Sequence, residues 1–107
     1  MDSRQQLALY RSMATARQLE TVEQDLVARG EAFFYVSSAG HEANAALAPH
    51  LVADDWLHCH YRDKALLIAR GLSPKAFLDT LLCKQEGPSA GRQMSPFLSD
   101  SRLHILP

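Results

Sequence analysis

From Ser3 to Arg29 the chain holds neither glycine nor proline, and apolar side chains recur along it every three or four residues: Leu9, Met13, Ala16, Leu19, Val22 and Leu26. That spacing puts them on one stripe of a helix and predicts a single long amphipathic helix against which the rest must pack. Ser3 with Gln6 three residues later forms a capping-box pattern at its start, and Gly30 supplies a stop after Arg29. Tyr10, Arg11 and Arg17 fall among these positions, and the arginines are expected to pair with Glu20 and Glu23 on a solvated face. So long a helix in a chain of 107 residues leaves room for at most one domain with a modest core.

Downstream, Phe33-Phe34-Tyr35-Val36 is aromatic and β-branched and reads as an extended segment. It runs into Ser37-Ser38-Ala39-Gly40, a loop of small residues, and then into an alanine-rich helix over 40–48 with Pro49 near its end. A loop opening on a helix start presents N–H groups to an anion, although a tight packing turn has the same composition. Asp54-Asp55 make a turn, and Trp56 to His60 suit a short strand. A helix beginning at Arg62 or Asp63 runs to Arg70 and stops at Gly71. Ser73-Pro74 then combines an N-cap with proline at the first helical position, opening a helix to residue 84 that buries Phe77, Leu78, Leu81 and Leu82. Gln85 to Asp100 reads as loop. The expected architecture is mostly α, with about four helices (3–29, 40–48, 62–70 and 74–84) joined by short extended segments.

Charge excludes several partners. Eleven basic residues are scattered among twelve acidic ones for a net charge of -1, so neither nucleic acid nor an anionic membrane is implied. Cys59 and Cys83 form no disulfide framework and suit a reducing compartment, which makes a cytoplasmic location the expectation. The polar start (Asp2 to Gln6) does not resemble a signal peptide, and no apolar run approaches the roughly 20 residues that span a bilayer. Leu103-His104-Ile105-Leu106-Pro107 reads like the start of something buried, so the sequence is expected to be a truncated piece of a larger protein.

The chemistry is concentrated in His58-Cys59-His60-Tyr61-Arg62-Asp63, between apolar Trp56-Leu57 and the apolar stretch from Ala65 to Ala69. Ionisable groups between hydrophobic walls are costly to bury, which favours a functional reason, while a surface turn that caps a helix is the plainer alternative. On a strand, His58 and His60 would share a face, but no further ligand stands at a patterned distance and no Cys-x-x-Cys or His-Glu-x-x-His run supports zinc. Cys59 between two imidazoles could serve as a nucleophile, or simply be a buried thiol with histidine neighbours. Anion binding suits the run better: Arg62 offers a planar fork of donors and Tyr61 a hydroxyl, beside a helix start, with Arg92 after a Gly-rich loop as a second cation. Residue chemistry alone stops at a phosphate or carboxylate site.

Five stretches in order resemble one family. They are Leu9-Tyr10-Arg11-Ser12-Met13 with Arg17 and Glu20, Ser38-Ala39-Gly40-His41-Glu42-Ala43, His60-Tyr61-Arg62-Asp63, Ala69-Arg70-Gly71 and Gly91-Arg92-Gln93-Met94. Together they look like the N-terminal part of the α subunit, or α half, of the thiamine-diphosphate-dependent 2-oxo acid dehydrogenases. The Gly-Arg-Gln-Met run resembles the branched-chain (2-oxoisovalerate) type more than the pyruvate type.

The resemblance implies an enzyme component that decarboxylates a 2-oxo acid on thiamine diphosphate with Mg2+ and passes the acyl group to a lipoyl carrier. It implies cofactor-binding roles for His60, Tyr61 and Arg62 at the diphosphate, and substrate contacts from Phe34 and Tyr61. The implied partners are a β subunit or β half, a lipoyl acyltransferase component and the 2-oxo acid. The family's Gly-Asp-Gly motif, which with a later asparagine holds the magnesium, has no match, so no residue here is assigned to the metal and no catalytic group is assigned. Residues 1–107 are therefore expected to be one helical N-terminal fragment of a thiamine-diphosphate-binding α/β fold, inert in isolation. With an apolar stripe left exposed on its first helix, the fragment is expected to self-associate as a homo-oligomer. The alternative is a small helical interaction or oligomerisation module without catalysis, in which Tyr61 and Arg62 serve packing and capping.

Overall fold

A computed structural model describes residues 1–107. Helix α1 runs over Ser3–Ala28, and at 1.5 Å per residue its length of about 39 Å sets the longest dimension of the molecule, 42 Å. Its capping box lies one residue earlier than the sequence pattern suggests: the Asp2 carboxylate accepts from the Gln5 N–H at 2.8 Å, and the Gln5 side chain accepts from the Asp2 N–H at 2.9 Å. The chain leaves the helix through Arg29 and Gly30, whose φ of +74° is the left-handed turn expected there.

The short elements fold back along this helix. Residues Glu42–His50 form a 3-10 helix rather than the expected α-helix, with Pro49 inside it. Proline removes one backbone donor, and Ala45 at zero exposure lets the segment pack closely on α1 and α2. Helix α2 covers Lys64–Arg70 and ends at Gly71 in a left-handed conformation (φ +119°). Helix α3 covers Pro74–Leu81, capped by the Ser73 hydroxyl accepting from the Ala76 N–H, and it is shorter than the predicted run to 84 because Cys83 turns left-handed. Phe77 and Leu81 are buried in it, whereas Leu78 and Leu82 are only half-buried.

Strand β1 (Leu57–His58) pairs in parallel with β2 (Ile105–Leu106), Leu57 opposite Ile105. The expected strand over 56–60 is thus only two residues long, and of the segment read as extended, Phe33 lies in a bend and Phe34 to Val36 join no strand. Between α3 and β2 the chain is mostly turns, ending in a short 3-10 turn at Ser101–Leu103.

Three apolar clusters run along α1. Leu19, Leu57, Leu67, Leu72, Phe77, Leu98 and Ile105 form the main core, Ala16 packs with Ala45 and Ala65 near the N-terminal half, and Leu26 packs with Ala32 and Leu81 at the other end. The predicted stripe on α1 is therefore covered by the chain's own elements, contrary to the expectation that it stands exposed. One member, Val22, is 44% exposed, and the adjacent Glu23 takes the inward position instead. No helix is long and apolar enough to cross a membrane.

Candidate functional site

The His60–Asp63 turn joins β1 to α2, and side chains from two other segments hold it. The Asp63 carboxylate accepts from the His60 N–H at 3.0 Å on one oxygen and from the Asn44 amide at 2.6 Å on the other. Asp63 thus ties the turn to the 3-10 helix instead of capping α2, where it makes no side-chain cap. The His60 and Tyr61 rings lie 4.0 Å apart, and Tyr61 meets Phe97 edge-on at 5.7 Å. Phe97 comes from the stretch read as plain loop and was not singled out by sequence; a lone aromatic in a turn-rich segment carries no periodic signal.

Arg62 is half-buried. Its Nη1 donates to the Ser37 carbonyl at 2.7 Å, and its guanidinium carbon lies 5.4 Å from the centre of the Tyr61 ring. No carboxylate forms an ion pair with it; the paired arginines are Arg17 with Glu42, Arg29 with Asp25 and Glu31, and Arg102 with Asp100. Arg62 Nε and Nη2, the Tyr61 hydroxyl and His60 Nε2 have no hydrogen-bond partner within the chain. The other half-buried arginine, Arg70, spends its whole fork on the carbonyls of Val52, Ala53, Asp55 and Leu103 at 2.8–3.1 Å.

The Ser37–Gly40 loop beside Arg62 is anchored from below. Glu20, 3% exposed, accepts from the Ser37 hydroxyl, from the Ser38 N–H at 2.9 Å and from the Ser38 hydroxyl at 3.2 Å. Burial pushes the Glu20 carboxyl up, but these donors and the nearby Lys64 charge outweigh it and hold the group below the usual carboxylate range. Glu42 accepts from the Gly40 N–H at 2.9 Å and pairs with Arg17 Nε at 2.7 Å, which holds its carboxyl low. The expectation that Arg17 pairs with Glu20 and Glu23 on a wet face is therefore corrected: both glutamates turn inward, to the serine loop and to Lys64. A helical pattern read only for hydrophobes misses them, since inward acidic residues register as breaks in the stripe.

The remaining sequence candidates are dispersed. Phe34 is 41% exposed and takes no part in the aromatic contacts around Tyr61, and Arg92 is exposed on its turn. His58 lies on β1 but His60 lies in the turn beyond it, so the two do not share a strand face, and no group of three or more His, Cys, Asp or Glu side chains is placed to hold a metal ion. Burial, then Asp63, pushes the Cys59 thiol up, the opposite of an activated nucleophile. A cleft of about 970 Å3 is lined elsewhere, by residues including Trp56, Leu72, Asp79, Arg102 and Leu106. Its charges largely neutralise one another through Lys75–Asp79 and Arg102–Asp100.

Comparison with known proteins agrees with this arrangement of motifs. The 2-oxoisovalerate dehydrogenase subunit alpha, mitochondrial, of Caenorhabditis elegans is 27% identical over 94 residues, which cover 87% of this chain and 22% of that protein. The chain thus spans less than a quarter of the length of this relative. Residues 10–105 match the family model described as dehydrogenase E1 component, a match that takes in α1 from Tyr10 onward, the serine loop, the His60–Asp63 turn and the first residue of β2. The chain belongs to the dehydrogenase E1 component family.

Proposed function

We propose that residues 1–107 are the N-terminal part of the α component of a thiamine-diphosphate-dependent 2-oxo acid dehydrogenase of the branched-chain type, with His60, Tyr61 and Arg62 forming one wall of the diphosphate site. The observation that carries this reading is the state of Arg62: half-buried, anchored through one nitrogen on the Ser37 carbonyl, and without a carboxylate partner. A guanidinium so placed has its position set and its charge unspent, which suits a bidentate contact to a phosphoryl oxygen pair. The unpartnered Tyr61 hydroxyl and His60 Nε2 stand on the same turn, so the residues present fit an anionic, oxygen-rich group.

When bound, thiamine diphosphate supplies the carbanion chemistry of decarboxylation, and the protein supplies position and electrostatics. This chain's share is to neutralise part of the diphosphate charge through Arg62, to donate from Tyr61, and to border the acyl pocket with Tyr61 and Phe34. The magnesium ligands fall to other parts of the parent protein. A β subunit or β half, a lipoyl acyltransferase component and a branched 2-oxo acid are the partners this reading requires. Exposed Phe33, Leu47, Trp56 and Met94 are apolar enough to lie under neighbouring protein in such an assembly and to drive self-association of the isolated chain.

The test is Arg62→Ala in the full-length α component assembled with its β partner, titrated with thiamine diphosphate and magnesium. A loss of at least tenfold in cofactor affinity is expected. Unchanged affinity and turnover would overturn the assignment. Residues 1–107 alone are expected to show no saturable cofactor binding in the same titration.

A further inference from the structure

Glu20 lies on α1, far in sequence from Arg62, yet one peptide group connects them. The Ser38 N–H donates to Glu20 Oε2 at 2.9 Å, and the Ser37 carbonyl accepts from Arg62 Nη1 at 2.7 Å. That N–H and that carbonyl belong to the same planar trans peptide, in which they point in opposite directions. Holding the N–H on the carboxylate therefore aims the carbonyl away from α1, toward the guanidinium. The two hydroxyl donors, from Ser37 and Ser38, brace the same carboxylate on both oxygens and fix the peptide plane against rotation. A buried carboxylate is costly unless fully served by donors, and here the donors are the residues on either side of that one peptide bond.

We propose that Glu20 is a positioning residue for anion binding: it sets the 37–38 peptide plane, and that plane sets the Arg62 fork. This inference rests on the reading of Arg62 as a diphosphate ligand. Arg62 has no carboxylate to orient it, so the Ser37 carbonyl is the one hydrogen-bonding group in the chain that holds its side chain. Without Glu20 the peptide can turn, the carbonyl leaves Nη1, and the guanidinium samples positions that no longer suit the phosphoryl oxygens.

The experiment measures thiamine diphosphate affinity, by calorimetry in the presence of magnesium, for the full-length α component assembled with its β partner. It compares Glu20→Gln, Arg62→Ala and the double variant. Glutamine keeps the size of the side chain but puts an amide NH2 where an acceptor is needed. Glu20→Gln is expected to weaken the cofactor about tenfold while leaving turnover at saturating cofactor near the wild-type value. In the Arg62→Ala background the same substitution is expected to add nothing, because its effect passes through Arg62. Wild-type affinity in Glu20→Gln, or an undiminished further loss in the double variant, would overturn the proposal while leaving the role of Arg62 intact. Wild-type affinity in Arg62→Ala would instead remove the reading on which it rests. Where Glu20→Gln yields no folded protein, Ser37→Ala withdraws one brace from the same carboxylate and is read by the same outcomes.

Discussion

Lys64 and Glu23 meet as an ion pair sealed from solvent, their side chains 1% and 3% exposed, at the contact between α1 and α2. Burial pushes the Glu23 carboxyl above the usual carboxylate range, and the Lys64 hydrogen bond and charge offset this only in part. The same ammonium acts on Glu20, so the pair that joins the two helices also lies beneath the serine loop and Arg62. Structural pairing and the candidate site are thereby one network.

Removing one member of this pair leaves the other buried and uncompensated. Lys64→Met alone is expected to destabilise the fold by about 3–5 kcal/mol. Adding Glu23→Leu removes the orphaned carboxylate and is expected to recover most of that loss, since apolar replacements of buried pairs are often neutral or better. Urea denaturation of the two variants checks this, and a double variant no more stable than Lys64→Met would refute it.

Arg70 closes the far end of α2 by donating to carbonyls on both sides of the β1–β2 pair, three in the 52–55 turn and one at Leu103. Lysine has a single nitrogen and cannot span them. Arg70→Lys is expected to cost about 2–4 kcal/mol, from several hydrogen bonds to a charged donor lost at once. A variant within 0.5 kcal/mol of wild type, roughly the scatter of neutral surface substitutions, would show that the clamp is not needed.

Helix periodicity made α1 legible, and cap chemistry made α3 legible, because both are local signals: spacing in one case, Ser73-Pro74 in the other. The 3-10 geometry of Glu42–His50 was not legible, since it depends on Ala45 packing between two helices that lie distant in sequence. His60, Tyr61 and Arg62 announced themselves by chemical type, and their turn does place them side by side. Phe97 and Glu20 did not, because their parts are defined only once Tyr61 and Ser38 are brought to them. The inward turn of Glu20 and Glu23 shows the limit: a carboxylate on an amphipathic helix reads as solvated until its buried donors are known.

Two glycines in the motif-bearing loops are expected to respond differently to alanine. At Gly91 (φ +75°) a Cβ would lie 2.7 Å from the Cys83 carbonyl oxygen, a backbone atom that cannot move aside alone. At Gly40 (φ +92°) nothing lies within 4 Å. Gly40→Ala is expected to cost about 1 kcal/mol from the left-handed backbone, and Gly91→Ala about 2–3 kcal/mol or more because the clash is added to the same strain. Equal melting temperatures for the two variants would contradict this.

The two cysteines are expected to alkylate at different rates. Cys83 is exposed, whereas Cys59 is half-buried with its thiol pushed up by burial and by Asp63, so little thiolate is available near neutral pH. Treatment with iodoacetamide followed by peptide mapping should label Cys83 first, with Cys59 following only as pH is raised or the protein is unfolded. Faster labelling of Cys59 would mean that the turn beside Asp63 opens in solution.

Acid stability is expected to depend on Glu20 with a definite sign. Its folded-state pKa lies below the ordinary value of 4.5: burial pushes it up, but the Ser37 and Ser38 donors and Lys64 pull it further down. The folded protein therefore binds fewer protons at this site than the unfolded chain. The stabilisation is fully present above the ordinary carboxylate range and is lost as pH falls through the lowered folded value. Glu23 acts in the opposite sense, because its folded pKa is raised: its contribution is greatest below the ordinary value and fades as pH rises through the folded one. Wild type alone mixes the two. The difference in unfolding free energy between wild type and Glu20→Gln, measured from pH 7 down to pH 3, isolates the first. That difference is expected to shrink as the solution is acidified below pH 4.5, and a difference that grows instead would mean that Glu20 is held neutral beneath the serine loop.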